Sequence, residues 1–230
     1  MKRTKFWIFA PLLGLCAMVC RWLFYSLYTD DRGLLAAGSF PEVLLLVLSV
    51  AAVFLAFLAQ PPESRENKLL SGLAPLLLAL GLLLPQERAS SVSAILWLLF
   101  QMGRYLSAAA AAALGILRIQ GKKPPFGLNA TVCIGFLLRL VASYQVWSRI
   151  PQMQNYMFAL ASILCLAGFA YQQAAREVSL GSPLWRLRLA LVGTFASMAA
   201  SVGTSGQPLY LLCALWLTGS ILFDSQGGTV

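Results

Sequence analysis

Apolar segments of about 20 residues recur along the whole chain and are separated by short connections. A helix of that length crosses about 30 Å of hydrocarbon. Because backbone N–H and C=O groups in lipid must be satisfied within their own segment, these segments are helices and not strands. The longest connection, at about residues 29–41, is too short to hold a soluble domain. The pattern therefore predicts an all-α fold, a polytopic transmembrane helical bundle.

The composition agrees with this fold class, with 59% hydrophobic residues and 11% charged residues. The mean hydropathy of +0.76 is too high for a soluble domain. We predict a single membrane domain over residues 1–230 with about eight spans. The predicted spans are about 6–28, 42–60, 69–85, 92–117, 128–148, 153–174, 184–203 and 208–223.

A weak internal repeat divides the chain into candidate halves, 1–120 and 121–230. Arg21 is followed by SLY and a charged turn, and Arg139 is followed by ASYQVW. AILWLL, around Trp97, resembles CALWLT, around Trp216. Two four-helix halves with the same membrane orientation would form a parallel repeat. A chance likeness between leucine-rich helices is the alternative.

Basic residues are distributed unevenly between alternate connections. One side holds 11 of them: Lys2, Arg3, Lys5, Arg65, Lys68, Arg118, Lys122, Lys123, Arg176, Arg186 and Arg188. The other side holds three: Arg32, Arg88 and Arg149. This positive-inside bias predicts that both termini lie in the cytoplasm and that membrane lipids with anionic headgroups are partners. It also accounts for the net charge of +9 without nucleic acid, for which no basic stretch is long enough.

The residues that most enzymes and metal sites use are scarce. The chain has no histidine, and its five cysteines lie inside predicted spans without CxxC spacing. No span carries a pair of carboxylates for general acid–base chemistry. GTSGQ lacks the GxSxG spacing of a serine nucleophile, and GKKPP lacks the pattern of a phosphate loop. The sequence predicts no enzymatic activity, no metal and no cofactor.

Arg21, Arg104 and Arg139 are charged residues that lie well inside predicted spans. An arginine at the centre of a span costs about 2.5–3.5 kcal/mol on insertion scales, so each needs a partner or access to water. Ion-pair partners predicted at the outer surface are Asp30, Asp31 and Glu42. Arg21 can extend toward them, whereas Arg104 would need a water-filled cleft.

For Arg104 the alternatives are backbone carbonyls, Gln101, Gln145, Asn129 or a tyrosine hydroxyl. Guanidinium has five donors and no acceptor, so one or two amides leave it under-satisfied. This motivates the hypothesis of an outward-facing cavity that binds an anionic small molecule or lipid headgroup. Its lining would be Arg21, Arg104, Arg139, Gln101 and Gln145. The alternative is that each arginine snorkels or pairs structurally and anchors helix packing.

The alanine run within residues 107–113 lets other helices approach closely, which predicts a central position for span four.

The stretches RWLFYSLYTDDRGLLAAGSFPE and LLRLVASYQVWSRIPQMQNYMFALASILCLAGFAYQQAARE resemble a group of uncharacterised multi-span membrane proteins of anaerobic Gram-positive bacteria. The resemblance implies a bacterial plasma membrane and no particular activity. Two functions follow as hypotheses: anion binding for transport or sensing, and a non-catalytic structural or assembly subunit that binds a membrane-protein partner.

Overall fold

The computed structural model describes residues 8–28, 39–60, 67–85, 92–148, 156–203 and 208–223. Within these ranges all regular structure is helical and forms eight helices. They are α1 (Phe9–Leu27), α2 (Phe40–Leu58), α3 (Lys68–Leu83), α4 (Ala94–Ile119), α5 (Phe126–Trp147), α6 (Met157–Glu177), α7 (Pro183–Ala200) and α8 (Pro208–Phe223). Each corresponds to one predicted segment, which confirms the all-α fold class.

Five helices, α1, α2, α4, α5 and α6, are long and apolar enough to cross a membrane. Helices α3 and α8 are also apolar but have only 16 residues each. The outward faces carry large apolar side chains such as Phe40, Leu46 and Phe54 of α2, which are more than 60% exposed and suit contact with lipid. The helices therefore form a membrane-embedded bundle. Membrane crossing by α3, α7 and α8 stays a prediction.

Local sequence signals explain where several helices begin. The side chains of Asn67, Ser93 and Ser182 each accept a hydrogen bond from the backbone N–H three residues further on. Such caps satisfy one of the four N–H groups that have no partner within the helix. Pro41 and Pro183 lie in the first turns of α2 and α7, where a missing N–H costs nothing.

Helices α3 to α8 form a ring in which each packs on the next and α8 returns to α3. Helices α1 and α2 pair with each other, and both pack against α7. The prediction of a central span four is wrong, because α4 packs mainly on α3 and α5 and exposes Met102, Tyr105 and Leu106. The small residues of α4 allow close packing on two neighbouring helices, but Ala109 of the alanine run is exposed on the outer surface of the bundle. The helix with the most neighbours is α7, which packs on α1, α2, α6 and α8.

The two candidate halves share only part of their packing. The pairs α1–α2 and α3–α4 of the first half correspond to α5–α6 and α7–α8 of the second, and all four pairs pack together. Contacts between the halves differ, since α1 packs on α7 of the second half, whereas its counterpart α5 packs on α4 of the first. The parallel repeat stays a prediction from the sequence.

The charge bias leads to a first prediction, about orientation. A cysteine at Lys122, in the exposed α4–α5 turn, should react with a membrane-impermeant maleimide only in inverted vesicles. A cysteine at Ser148, which follows the other end of α5, should react only in right-side-out vesicles. Both variants are made in a background in which the five native cysteines are alanine. The reverse labelling pattern would contradict the predicted orientation.

Candidate functional site

All three arginines are buried, with exposed fractions of 3% for Arg21 and 5% for Arg104 and Arg139. Arg21 lies six residues before the end of α1, Arg139 eight before the end of α5, and Arg104 ten after the start of α4. At 1.5 Å per residue these positions are about 9, 12 and 15 Å from helix ends that the charge bias predicts to be outside.

Arg104 bonds the end of a neighbouring helix. Its Nη1 donates to the carbonyl oxygen of Leu84 at 3.4 Å, and its Nη2 donates to the hydroxyl of Tyr105 at 2.9 Å. Leu84 directly follows α3, where carbonyls lack partners within the helix and carry the negative end of the helix dipole. Because α3 is short, an arginine well inside α4 reaches this end. The Nε of Arg104 is buried and has no hydrogen-bond acceptor among the described residues.

Arg21 repeats this arrangement on α1. Its Nη1 donates to the carbonyl oxygen of Ala199 at 3.1 Å, in the last turn of α7, and its Nη2 donates to the hydroxyl of Tyr25 at 3.0 Å. Its Cζ also lies 5.1 Å from the ring centroid of Phe158, a cation–π distance. Tyr25 follows Arg21 by four residues, and this spacing, which places both on the same helix face, could have marked it as a partner.

Of the three carboxylates predicted to pair with Arg21, the structure describes one, Glu42. Asp30 and Asp31 lie outside the described residues. Glu42 lies in the first turn of α2 and is half-buried. Ion pairing between Arg21 and these acids stays a prediction.

Arg139 lies against a tyrosine of α8. Its Cζ is 5.6 Å from the ring centroid of Tyr210, whose side chain is 2% exposed. Nothing in the local sequence around Arg139 indicates this tyrosine.

Arg104 and Arg139 line one cavity, whose volume is about 10 Å³. The other lining residues are Leu82, Phe100, Ser107, Val132, Gly135 and Phe136. Seven of the eight lining residues are buried, Gly135 being half-buried. A cavity of this size holds about one water molecule. Of the three arginines predicted to share a cavity, the structure brings together two, and Arg21 does not line this one.

The two glutamines of the predicted lining are not part of it. Gln101 is half-buried, and its Oε1 has no hydrogen-bond donor among the described residues. Gln145 is exposed. It follows Arg139 by six residues, which is about one and two-thirds turns of helix and places it on another face of α5.

Asn129, a predicted candidate partner for Arg104, lies at the opposite end of the bundle. It is 1% exposed, and its Nδ2 donates to Oε1 of Glu177 at 2.5 Å. This bond joins the first turn of α5 to the last residue of α6. The predicted span 153–174 ends before Glu177, a half-buried carboxylate that the sequence did not indicate as a partner. Since α5 and α6 are consecutive and antiparallel, residues near these two ends are neighbours, and that signal could have found the pair.

A second prediction follows for Asn129. Its replacement by leucine should lower the free energy of unfolding by about 1.5–3 kcal/mol, because a hydrogen bond to a carboxylate is lost. Thr131→Val is the control, since the Thr131 hydroxyl donates to the Gly127 carbonyl of its own helix. The free energy of unfolding of both variants is measured by denaturation in detergent, followed by tryptophan fluorescence. Equal effects of the two substitutions would contradict a special role for the Asn129–Glu177 bond.

Among the residues that the structure describes, no cluster of three or more histidine, cysteine or acidic side chains could hold a metal ion. In comparisons with known proteins, no family model, no curated protein and no solved structure matches this chain. The fold and the apolar helices define the class: this is an integral membrane protein built as a helical bundle. Within that class, the arrangement of the buried arginines is the basis for a more particular function.

Proposed function

We propose that this protein is a non-enzymatic, eight-span protein of a bacterial plasma membrane that binds an anion at Arg104 and Arg139. Both termini face the cytoplasm, and the anion enters from the outer side, for transport or sensing. The observation that supports this proposal is that two permanent cations line the same buried cavity.

Two guanidinium groups at one cavity favour an anion for a simple electrostatic reason. Arginine does not lose its proton in proteins, so neither charge can be removed by deprotonation. In a medium of low dielectric constant each positive charge raises the cost of burying the other. An anion between them converts this repulsion into two attractions and accepts charge-assisted hydrogen bonds.

Among the described residues, the contacts of Arg104 leave its charge uncompensated. The Leu84 carbonyl and the Tyr105 hydroxyl are dipoles, which lower the cost of burial without neutralising the guanidinium. The Nε–H group remains as a buried donor with no acceptor among the described residues. A buried donor without an acceptor costs about 1–3 kcal/mol, which an anion in the cavity would recover.

The test is anion-dependent stability of the detergent-purified protein, measured with chloride, phosphate, glycerol phosphate, acetate and phosphatidylglycerol. An anion at 100 times its Kd should raise the free energy of unfolding by about 2.7 kcal/mol. Arg104→Gln should weaken the binding at least about tenfold, because a charged donor is lost.

The matched control is Arg188→Gln. Arg188 is half-buried on α7 at the opposite end, lies 4.6 Å from the Phe57 ring centroid, and also has a buried Nε without an acceptor among the described residues. It does not line the cavity. Anion binding should survive this substitution. If no anion stabilises the wild type, or if Arg104→Gln binds as tightly as Arg188→Gln, the proposed function is wrong.

A structural or assembly subunit is the second candidate, and one observation favours it. Arg21 joins α1 to the end of α7, and Arg104 joins α4 to the end of α3, each through a hydrogen bond to a backbone carbonyl. Such bonds stabilise helix packing without any ligand. This candidate expects Arg104→Gln to destabilise the protein equally with and without anions. It also expects a membrane-protein partner to copurify with the wild type in mild detergent.

A further inference from the structure

We infer that the anion held between Arg104 and Arg139 is a halide, chloride in the first place, and not a phosphate or carboxylate group. This inference rests on the proposed function and names the ligand class of the same site. It is carried by the size of the cavity, the chemistry of its wall and the tightness of the helix contact beside it.

The size of the cavity favours a monatomic ion. Its volume of about 10 Å³ is the space of one water-sized sphere. Chloride is a single atom, somewhat larger than a water molecule, and needs the least widening of the cavity among these anions. A carboxylate has three heavy atoms and a phosphate has five, so either would have to displace side chains that are already buried.

The wall of the cavity suits an ion that only accepts hydrogen bonds. Arg104 and Arg139 supply N–H donors from two different helices. The hydroxyl proton of Ser107 is engaged, because Ser107 Oγ donates to the carbonyl oxygen of Thr131 at 3.0 Å. The rest of the wall is aliphatic or aromatic: Leu82, Phe100, Val132, Gly135 and Phe136. A water molecule there would neutralise neither charge, and among the lining side chains only Ser107 Oγ could accept one of its hydrogens.

The contact between α4 and α5 limits how far the cavity can widen. The Ser107–Thr131 bond joins the two helices beside the cavity. A Cβ built on Gly135 would lie 2.8 Å from the Cβ of Ser107, so the two backbones are already close. Phe136, which also lines the cavity, stacks on Trp216 of α8, with ring centroids 6.3 Å apart. Widening the cavity for a polyatomic anion would have to separate these contacts.

The experiment titrates the detergent-purified protein with chloride, bromide, phosphate, glycerol phosphate and phosphatidylglycerol at constant ionic strength. Thermal unfolding reports binding, and anomalous scattering from crystals grown in bromide locates the ion. We expect chloride and bromide to stabilise the wild type, with one bromide beside Arg104 and Arg139. Arg104→Gln should raise the halide Kd at least tenfold, and Arg188→Gln should leave it unchanged.

A second variant tests the size argument. Phe100→Leu replaces an aromatic ring in the cavity lining with a smaller side chain, which enlarges the cavity and keeps both arginines. It should lower the ratio of phosphate Kd to chloride Kd, because a larger anion then fits. A ratio that stays unchanged in a folded Phe100→Leu protein contradicts selection by size.

The remaining outcomes separate the two claims. If phosphate or the lipid headgroup stabilises the protein in an Arg104-dependent way and halides do not, the halide assignment is overturned and the proposed function stands. If no anion stabilises the protein, both are overturned.

Discussion

Replacement of Gly115 by leucine should leave little folded protein after detergent extraction. Gly115 of α4 faces Gly72 of α3: a Cβ built on Gly115 would lie 2.7 Å from the Gly72 carbonyl oxygen, and one on Gly72 would lie 2.6 Å from that of Gly115. Overpacking with side-chain neighbours costs about 1–3 kcal/mol. Here the obstacle is helix backbone, which cannot rotate away. We therefore expect a loss of at least about 3 kcal/mol in the free energy of unfolding.

The matched control is Gly127→Leu, in the first turn of α5. A Cβ built on Gly127 meets no atom within 4 Å, and the residue is exposed. Its replacement should change the free energy of unfolding by no more than about 1 kcal/mol, with a gain in helix propensity as the main effect. Size-exclusion chromatography gives the folded fraction, and denaturant titration gives the free energy. Similar behaviour of the two variants would contradict the close approach of α3 and α4.

The α3–α4 contact also bears on the site. The Leu84 carbonyl that Arg104 bonds lies just beyond the end of α3, and the packing of α3 on α4 sets its position. Any folded Gly115→Leu protein should accordingly bind the anion more weakly than Gly127→Leu does.

The helices could be predicted from the sequence because their determinants are local. The lengths of the apolar runs, together with starts such as Ser93 and Pro183, locate the segments to within a few residues. The arrangement of the helices could not be predicted in the same way. The alanine run of α4 indicated close packing correctly, but small residues do not specify how many neighbours a helix has. The neighbours depend on complementary surfaces on segments far away in the chain.

The burial of the arginines could be predicted from their positions, and most of their partners could not. Arg21 bonds the carbonyl of Ala199, which is 178 residues away, and a backbone carbonyl has no signature in the sequence. The pairing of Arg104 with Leu84 depends on where the short helix α3 ends. Backbone carbonyls and a tyrosine hydroxyl are among the partners expected for Arg104, and it bonds one of each, but the sequence does not indicate which carbonyl or which tyrosine. Of the amides expected beside it, Gln145 lies on another face of its helix.

Replacement of Gly203 by alanine should destabilise the protein through the Arg21 contact. Gly203 follows α7 with a φ of +98°, and a Cβ there would lie 2.1 Å from Cε2 of the Tyr25 ring. The strained backbone and the displaced ring together should cost about 2–4 kcal/mol. Tyr25 is an acceptor for Arg21, so the tie between α1 and the end of α7 should loosen as well.

Gly121→Ala is the control for backbone strain alone. Gly121 also has a positive φ, of +69°, but the nearest atom to a Cβ there would be the flexible Nζ of Lys68 at 3.1 Å. It should cost only about 1–2 kcal/mol, so the difference between the variants measures the contact with Tyr25. Because Arg21 does not line the cavity of Arg104 and Arg139, folded Gly203→Ala protein should keep its anion-dependent stabilisation. Loss of that stabilisation in Gly203→Ala but not in Gly121→Ala would instead mean that Arg21 contributes to the anion site.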